Sequence, residues 1–125
     1  AQTLRTLPPD FESSDHHKSH ASEIRLHPSG RFLLIANRGH DSIAVYAVDE
    51  SSSTPVAARG TLRTLHITPS GGAFPRNFNF DATGRFVVVG NQNSNNLTVF
   101  SFDTVSGSML PVDTKYVAVG VFFLC

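Results

Sequence analysis

The apolar positions of this chain form short alternating or continuous runs, and no stretch has a convincing helical period. Residues 23–26 (EIRL) and 77–80 (NFNF) alternate polar and apolar side chains, which is the period-two signature of a strand with one covered face. Residues 32–36 (FLLIA) and 86–90 (FVVVG) are uninterrupted apolar runs, as expected of strands covered on both faces. The pattern therefore predicts an all-β protein built from short strands.

A repeat with an offset of 54 residues organises these strands. Residues 27–49 (HPSGRFLLIANRGHDSIAVYAVD) align without a gap on residues 81–103 (DATGRFVVVGNQNSNNLTVFSFD). Gly30 and Gly84 lie in the turns at the start of the two segments, where a positive φ angle is often needed. Two third strands and one plausible fourth strand complete the pattern, at 42–49, 96–103 and 61–68.

Four antiparallel strands in a repeat of this length are typical of one blade of a β-propeller. We therefore expect two four-stranded antiparallel sheets arranged as adjacent blades. Residues 1–22 are interpreted as a leftover outer strand and a polar loop, 23–70 as one blade, 71–120 as the next, and 121–125 as an atypical end. Because closed propellers have roughly four to eight blades, this chain accounts for only part of one.

Strand direction places several reactive side chains at one end of the blades. In an up-and-down meander, the start of the first strand meets the loop between the second and third strands. Glu23 and Arg76 lie at the first position, and Arg38, His40 and Gln92 lie at the second. Guanidinium groups bind carboxylates or phosphates through a planar fork, and a nearby carboxylate can move protons. The arrangement favours a site for an anionic small molecule.

Composition restricts the class of partner. Lys and Arg total ten, as do Asp and Glu, so the net charge is zero and no basic patch indicates nucleic acid. The N-terminus lacks the apolar core of a signal peptide, and the apolar run 116–125 is too short to span a bilayer as a helix. The single cysteine, Cys125, cannot form an intrachain disulfide. We therefore expect a cytoplasmic protein without a membrane partner.

The same residues carry a family resemblance. Residues 21–49 and 71–103 resemble consecutive blades of the lactonase family of seven-bladed propellers, which includes 6-phosphogluconolactonases and fungal carboxymuconate lactonising enzymes. The most specific strings are SEI, NRGHDSI, FPRNF and GNQNSNN. The resemblance covers roughly residues 18–115, which is about two blades of such a propeller.

The resemblance implies hydrolysis of a sugar-acid lactone such as 6-phosphogluconolactone, or lactone ring closure, without a metal or cofactor. By motif, Glu23 of SEI takes the place of the catalytic acid/base. Arg38 of NRGHD and Arg76 of FPRNF take the places of groups that bind the substrate anion. A catalytic His of an earlier blade has no counterpart in this chain. The rest of the predicted substrate-binding set is His40, Asn77 and Gln92.

Some of these residues have structural interpretations that stand beside the catalytic ones. Glu23 and Arg25 alternate along one strand, so they can equally well pair with each other or with neighbours. His40 and Asp41 could act as a catalytic pair, but an Asp at a loop corner more often caps its own backbone. We favour the capping interpretation for Asp41.

A cluster of histidines precedes the first blade. His16, His17 and His20 have spacings that would place two ligands for zinc on one face of a helix. No helix and no clear third ligand are predicted there, so we interpret the cluster as part of a solvated loop between blades.

Two functions remain open on the sequence alone. The first is a lactonase-type enzyme that acts on an anionic lactone or acid through Glu23, Arg38 and Arg76. The second is a non-catalytic propeller fragment that serves as a binding or interaction module. In either case two blades leave apolar faces and strand edges uncovered, which predicts marginal stability or self-association.

Overall fold

The computed structural model describes residues 2–11, 19–50 and 60–117, and in this part of the chain it contains eight strands and no helix. The strands form two four-stranded sheets with the orders β1-β2-β3-β4 and β5-β6-β7-β8, and every neighbouring pair is antiparallel. The predicted all-β fold with two four-stranded antiparallel sheets is confirmed. The strand bounds are β1 His20–Leu26, β2 Phe32–Arg38, β3 Ser42–Val48, β4 Leu62–Pro69, β5 Pro75–Phe80, β6 Phe86–Asn91, β7 Asn96–Phe102 and β8 Met109–Tyr116.

One buried asparagine in each sheet anchors the chain segment that leads into that sheet. Asn37, in β2, donates from Nδ2 to the Thr6 carbonyl at 2.7 Å. Asn91, its counterpart in β6, donates to the Ser70 carbonyl at 3.2 Å. Both side chains are buried, where an unpaired amide would be costly. The segment around Thr6 is therefore attached to the first sheet in the same way as the segment around Ser70 is attached to the second.

The outer strand expected in residues 1–9 is not formed over the described positions 2–9. Gln2 bonds the edge strand through its side chain, whose amide donates to the Leu62 carbonyl and accepts the Leu62 N–H, both at 2.8 Å. Pro8 and Pro9 have no N–H to contribute to a ladder. The remainder of the expected polar loop, 12–18, and the atypical end, 121–125, lie outside the described residues.

The two sheets pack against each other and share one apolar core. Alternate positions of β2 and β3 face the second sheet, because side chains on a strand alternate between its two faces. Each Val, Leu, Ile, Phe or Met side chain buried there contributes about 1.5–3 kcal/mol. The buried members are Phe32, Leu34, Ala36, Ile43 and Val45 from the first sheet, and Phe78, Val87, Val89, Phe100, Phe102 and Met109 from the second.

His27 lies inside this interface and is only 3% exposed. Its Nε2 donates to the Gly84 carbonyl at 2.7 Å, and since a carbonyl only accepts, this nitrogen carries the proton. Nδ1 then accepts the N–H of Ser29 at 3.0 Å. The ring stacks on Phe102 with 4.8 Å between centroids. His27 thus ties the turn of the first sheet to the turn of the second.

The two outward faces of the pair remain partly uncovered. Ile24 and Leu26 on β1 are 58% and 56% exposed, and Leu110 on β8 is 65% exposed.

No helix among residues 2–11, 19–50 and 60–117 is long and apolar enough to cross a membrane. The cytoplasmic location stays a prediction.

Candidate functional site

The site is built on two equivalent β-bulges, one at the start of each first strand. In β1 the extra residue is Ser22, immediately before Glu23. In β5 the extra residue is Arg76, immediately before Asn77. A bulge kinks its strand and re-aims the neighbouring side chains, and bulges are frequent next to active sites.

Four of the six predicted site residues line one pocket with a volume of about 260 Å³. These residues are Glu23, Arg38, Arg76 and Asn77, and Ser22 completes the lining. The pocket is slightly smaller than the roughly 300–1,000 Å³ that is common for small-molecule sites. It has contributions from both sheets, so it exists only because the blades are packed together.

Ser22 fixes the distance between the two bulges. Its hydroxyl donates to the carbonyl of Pro75 at 2.7 Å, which joins β1 directly to β5. Arg76 follows Pro75 in the chain, so this hydrogen bond holds the second bulge beside the first. Sequence reasoning gave Ser22 no role, although it is the first residue of the SEI string.

Glu23 forms the ion pair with Arg25 that its alternation along β1 allows. The Arg25 guanidinium lies 3.5 Å from Oε2 of Glu23, and the Glu23 side chain is 26% exposed. Oε1 accepts the N–H of Ile24 at 3.2 Å. A partly exposed ion pair contributes about 0–1 kcal/mol. The contact orients the carboxylate but is too weak to keep it from a bound molecule.

Two polar atoms of this site are buried and have no hydrogen-bond partner among the described residues. One is the donor Nε of Arg38, and the other is the acceptor Oδ1 of Asn77. A buried polar atom that stays unpaired costs about 1–3 kcal/mol. A ligand that offers both an acceptor and a hydroxyl would relieve both atoms at once.

Arg38 is held against an aromatic ring. The carbon of its guanidinium lies 5.1 Å from the centroid of the Phe74 ring, which is within cation–π range. The ring covers one face of the guanidinium plane, while the N–H donors point along the edges of that plane. Phe74 belongs to the FPRNF string, but no feature of the sequence pattern indicated this contact.

Gln92 reaches the site through Arg76. Arg76 is exposed and donates to Oε1 of Gln92 at 3.4 Å. Gln92 is not part of the pocket lining, so the structure connects it to the pocket only through Arg76. Its contact with substrate stays a prediction.

His40 also lies outside the pocket lining. Its Nδ1 is 2.8 Å from the hydroxyl of Ser42, and its ring meets Phe11 edge-on with 4.9 Å between centroids. Asp41 bonds elsewhere, accepting the N–H of Gly39 at 3.2 Å and that of Phe74 at 2.9 Å. The first of these contacts is the backbone cap that we favoured for Asp41, and the second crosses to the next blade.

In the part of the chain that the structure describes, no group of three or more His, Cys, Asp or Glu side chains could hold a metal ion. His20 is exposed at the start of β1. The other two histidines of the cluster, His16 and His17, lie outside the described residues.

Comparisons with known proteins agree on one family. The family sequence model described as "Lactonase, 7-bladed beta-propeller" matches residues 1–123. A 6-phosphogluconolactonase of Bacillus subtilis is 36% identical over 108 residues, which are 86% of this chain and 28% of that protein. A 6-phosphogluconolactonase of Formosa agariphila is 33% identical over 102 residues, 80% of this chain and 27% of that protein.

Solved structures give the same result. The periplasmic gluconolactonase of Pseudomonas aeruginosa matches with a TM-score of 0.79 and 35% identity, over 96% of this chain and 30% of that one. A Lactobacillus plantarum protein matches with a TM-score of 0.79 and 32% identity, over 94% of this chain and 31% of that one. The chain thus spans less than a third of the length of the relatives it matches.

Proposed function

Since this chain belongs to the lactonase family of seven-bladed β-propellers, we propose that it supplies part of an active site that opens a sugar-acid lactone with water. What supports the proposal is the single pocket that Glu23, Arg38 and Arg76 line together. One carboxylate and two guanidiniums in one pocket suit a reaction that moves a proton on a negatively charged molecule.

Glu23 is the general base in this proposal. Its carboxylate takes a proton from water as the water oxygen bonds to the lactone carbonyl carbon, and the carbonyl oxygen gains the negative charge. When this tetrahedral species collapses, the bond from carbon to the ring oxygen breaks. The proton on Glu23 passes to the ring oxygen, which leaves an open-chain hydroxy acid. Because a catalyst accelerates both directions, the same groups serve ring closure.

The arginines bind charge in this proposal. Arg38 has an unpaired Nε donor at the pocket, and Arg76 contributes a second guanidinium from the neighbouring bulge. A guanidinium binds a phosphate or a carboxylate through two parallel N–H bonds. Asn77 Oδ1 accepts a sugar hydroxyl, which relieves its own unpaired state. The substrate class is therefore an acidic sugar lactone such as 6-phosphogluconolactone.

One observation favours a non-catalytic binding module as the second candidate. Glu23 already has a cationic neighbour, because the Arg25 guanidinium lies 3.5 Å from its carboxylate. In that case Arg38 and Arg76 bind an anion, and Glu23 only positions Arg25. The two candidates differ in one measurable way, which is whether turnover depends on the Glu23 carboxylate.

A chimera tests the proposal in a complete propeller. Residues 1–123 replace the matching segment of the Bacillus subtilis 6-phosphogluconolactonase, and hydrolysis of 6-phosphogluconolactone is followed by acid release. In the chimera, Glu23→Gln is expected to lower kcat about 10²- to 10⁴-fold, the usual contribution of a general base. Arg76→Ala is expected to raise KM by roughly ten- to hundredfold, since a charge-assisted contact is lost.

The matched control is Glu50→Gln, which alters an exposed carboxylate just past the C-terminal end of β3. The pocket lies toward the opposite, N-terminal end of this strand. Glu50→Gln should leave kcat and KM unchanged. If the Glu23→Gln chimera turns over at the unmodified rate while Arg76→Ala still raises KM, Glu23 is not the general base. The part of the site that this chain supplies would then only bind the anion.

A further inference from the structure

We propose that Asp41 is a positioning residue that sets the Arg38 guanidinium at the pocket by holding Phe74 of the next blade. The proposal rests on the proposed function for the nature of the ligand, but not for the placement of Arg38. It gives a role to the Asp of the NRGHD string, which the reaction described above does not use.

Asp41 forms hydrogen bonds with both ends of the segment of residues 70–74, which connects the two blades. Its backbone carbonyl accepts the N–H of Ser70 at 2.9 Å. Its Oδ1 accepts the N–H of Phe74 at 2.9 Å and the N–H of Gly39 at 3.2 Å. Hydrogen bonds to an ionised carboxylate are roughly twice as strong as neutral ones. One side chain thus fixes its own loop and the entry to the next blade.

Phe74 needs such a grip because its backbone is strained. Its φ angle is +64°, in the left-handed region that a bulky side chain rarely adopts. Conformations of this kind persist only where the surroundings impose them, and they cluster at functional sites. Asp41 holds the N–H of Phe74, and Gln92 N–H donates to its carbonyl at 2.9 Å.

The ring of Phe74 is the surface on which Arg38 rests. With 5.1 Å between the guanidinium carbon and the ring centroid, the ring covers one face of the cation. The edges of the guanidinium, which carry its donors, stay available, and Nε has no partner among the described residues. The contacts therefore run from Asp41 to Phe74 and from Phe74 to Arg38, and they end at the Nε donor of Arg38.

The repeat supplies a matched control inside the same molecule. Asn95 is the counterpart of Asp41, with φ +52° against +57°, and its carbonyl accepts the Val117 N–H at 2.8 Å. Asn95 is exposed, and its carbonyl bonds Val117 rather than the segment of residues 70–74. Asn95→Ala therefore introduces the same backbone strain as Asp41→Ala, but it leaves the contacts of Arg38 intact.

The test observes Arg38 directly by NMR of arginine Nε–Hε groups in the full chain. Arg38→Lys assigns the signal, which should be displaced upfield by the ring current of Phe74. Asp41→Ala should move the signal toward the value of an exposed arginine and accelerate its exchange with water. Asp41→Asn keeps an Oδ1 acceptor and should restore the displaced signal. Asn95→Ala should leave it unchanged.

A titration with 6-phosphogluconate, a stable open-chain acid, connects placement to binding. Asp41→Ala should weaken its affinity about tenfold, consistent with a misplaced charge-assisted contact, while Asp41→Asn stays within about threefold of the unmodified chain. If Asp41→Ala does not fold, Asp41→Gly removes the carboxylate, suits the positive φ angle of residue 41 and should move the Arg38 signal in the same direction.

An Arg38 signal that stays at its displaced position in a folded Asp41→Ala or Asp41→Gly variant would overturn the positioning role. A signal that moves as expected, in a chain that does not bind 6-phosphogluconate, would support the positioning role and count against the proposed function instead.

Discussion

Residues 27 and 81 occupy equivalent turn positions, and different side chains, His27 and Asp81, accept the hydrogen bonds of the two turns. The Asp81 carboxylate stays within its own turn, where it accepts the Thr83 hydroxyl at 2.5 Å and the Phe86 N–H at 2.9 Å. His27 uses Nδ1 for the equivalent bond to its turn and keeps Nε2 for the Gly84 carbonyl of the next blade. The histidine is therefore an internal contact between blades, while the aspartate stabilises a turn.

The turn carboxylates give a pH prediction. The Thr83 hydroxyl, followed by backbone N–H groups, holds the pKa of Asp81 below its usual range, and the N–H of Ser106, then of Val105, does the same for Asp103. Because both pKa values are lower in the folded chain, their contribution to stability is present above the unfolded pKa of about 3.9. It is lost as the pH falls through the lower folded values.

Urea unfolding between pH 7 and pH 2.5 measures this effect. We expect the free energy of unfolding to fall at the acid end, and to fall less in Asp81→Asn, which has no carboxylate to protonate. A variant with the same acid slope as the unmodified chain would contradict the assignment. Asp10→Asn is the control, because Asp10 is exposed and lies outside the two turns that contain Asp81 and Asp103.

At the scale of elements, the two glycine turns test how tightly the blades meet. Gly30 and Gly84 have φ angles of +75° and +72°. A Cβ on Gly30 would meet nothing within 4 Å, whereas a Cβ on Gly84 would lie 2.6 Å from Nε2 of His27. The backbone strain of an alanine is the same at both positions, so the difference between them reports the contact between the blades.

We therefore expect Gly30→Ala to lower the free energy of unfolding by about 1–2 kcal/mol, the cost of a side chain in the left-handed region. Gly84→Ala should lower it by a further ~1–3 kcal/mol, because the methyl group displaces a buried ring. Chemical denaturation followed by circular dichroism measures both. Equal losses in the two variants would mean that His27 yields without cost.

The strands and the bulges were not equally predictable. The period-two pattern of residues 23–26 and 77–80 predicted β1 and β5, which start earlier, at His20 and Pro75. The bulges at Ser22 and Arg76 had no signal of their own, because a single extra residue is decided by pairing with the neighbouring strand.

At the scale of the whole molecule, the repeat shows which apolar side chains of the described residues are left exposed. Phe32 is 4% exposed because the second blade covers it, while its counterpart Phe86 is 43% exposed. Leu110 and Val112, on the same sheet as Phe86, are 65% and 52% exposed. Exposed apolar groups of this extent favour association.

We propose that the chain self-associates through this uncovered face. Sedimentation velocity across a hundredfold concentration range should show larger species as the concentration rises. Phe86→Lys combined with Leu110→Glu should shift the distribution toward monomer, whereas Val105→Glu should not, since Val105 is 89% exposed on a turn between β7 and β8. A monomer at every concentration would contradict the prediction.

Alternation and the repeat assigned residues to seven of the eight described strands, and they placed Glu23, Arg38 and Arg76 at one end of the two blades. Side-chain alternation and the 54-residue offset are local or repetitive properties, so they can be read from one chain. Strand direction then follows from the meander. The residues that share a pocket are largely those that this reasoning placed together.

The contacts between the blades became visible only in the folded structure. Nothing in the pattern predicted that His27 would bond the Gly84 carbonyl, that Asp41 would hold the Phe74 N–H, or that His40 would turn toward Ser42. These contacts join residues from different strands or blades, and their geometry depends on the angle and spacing of the packed sheets. Periodicity fixes which face a side chain occupies, but packing selects the atoms it meets there.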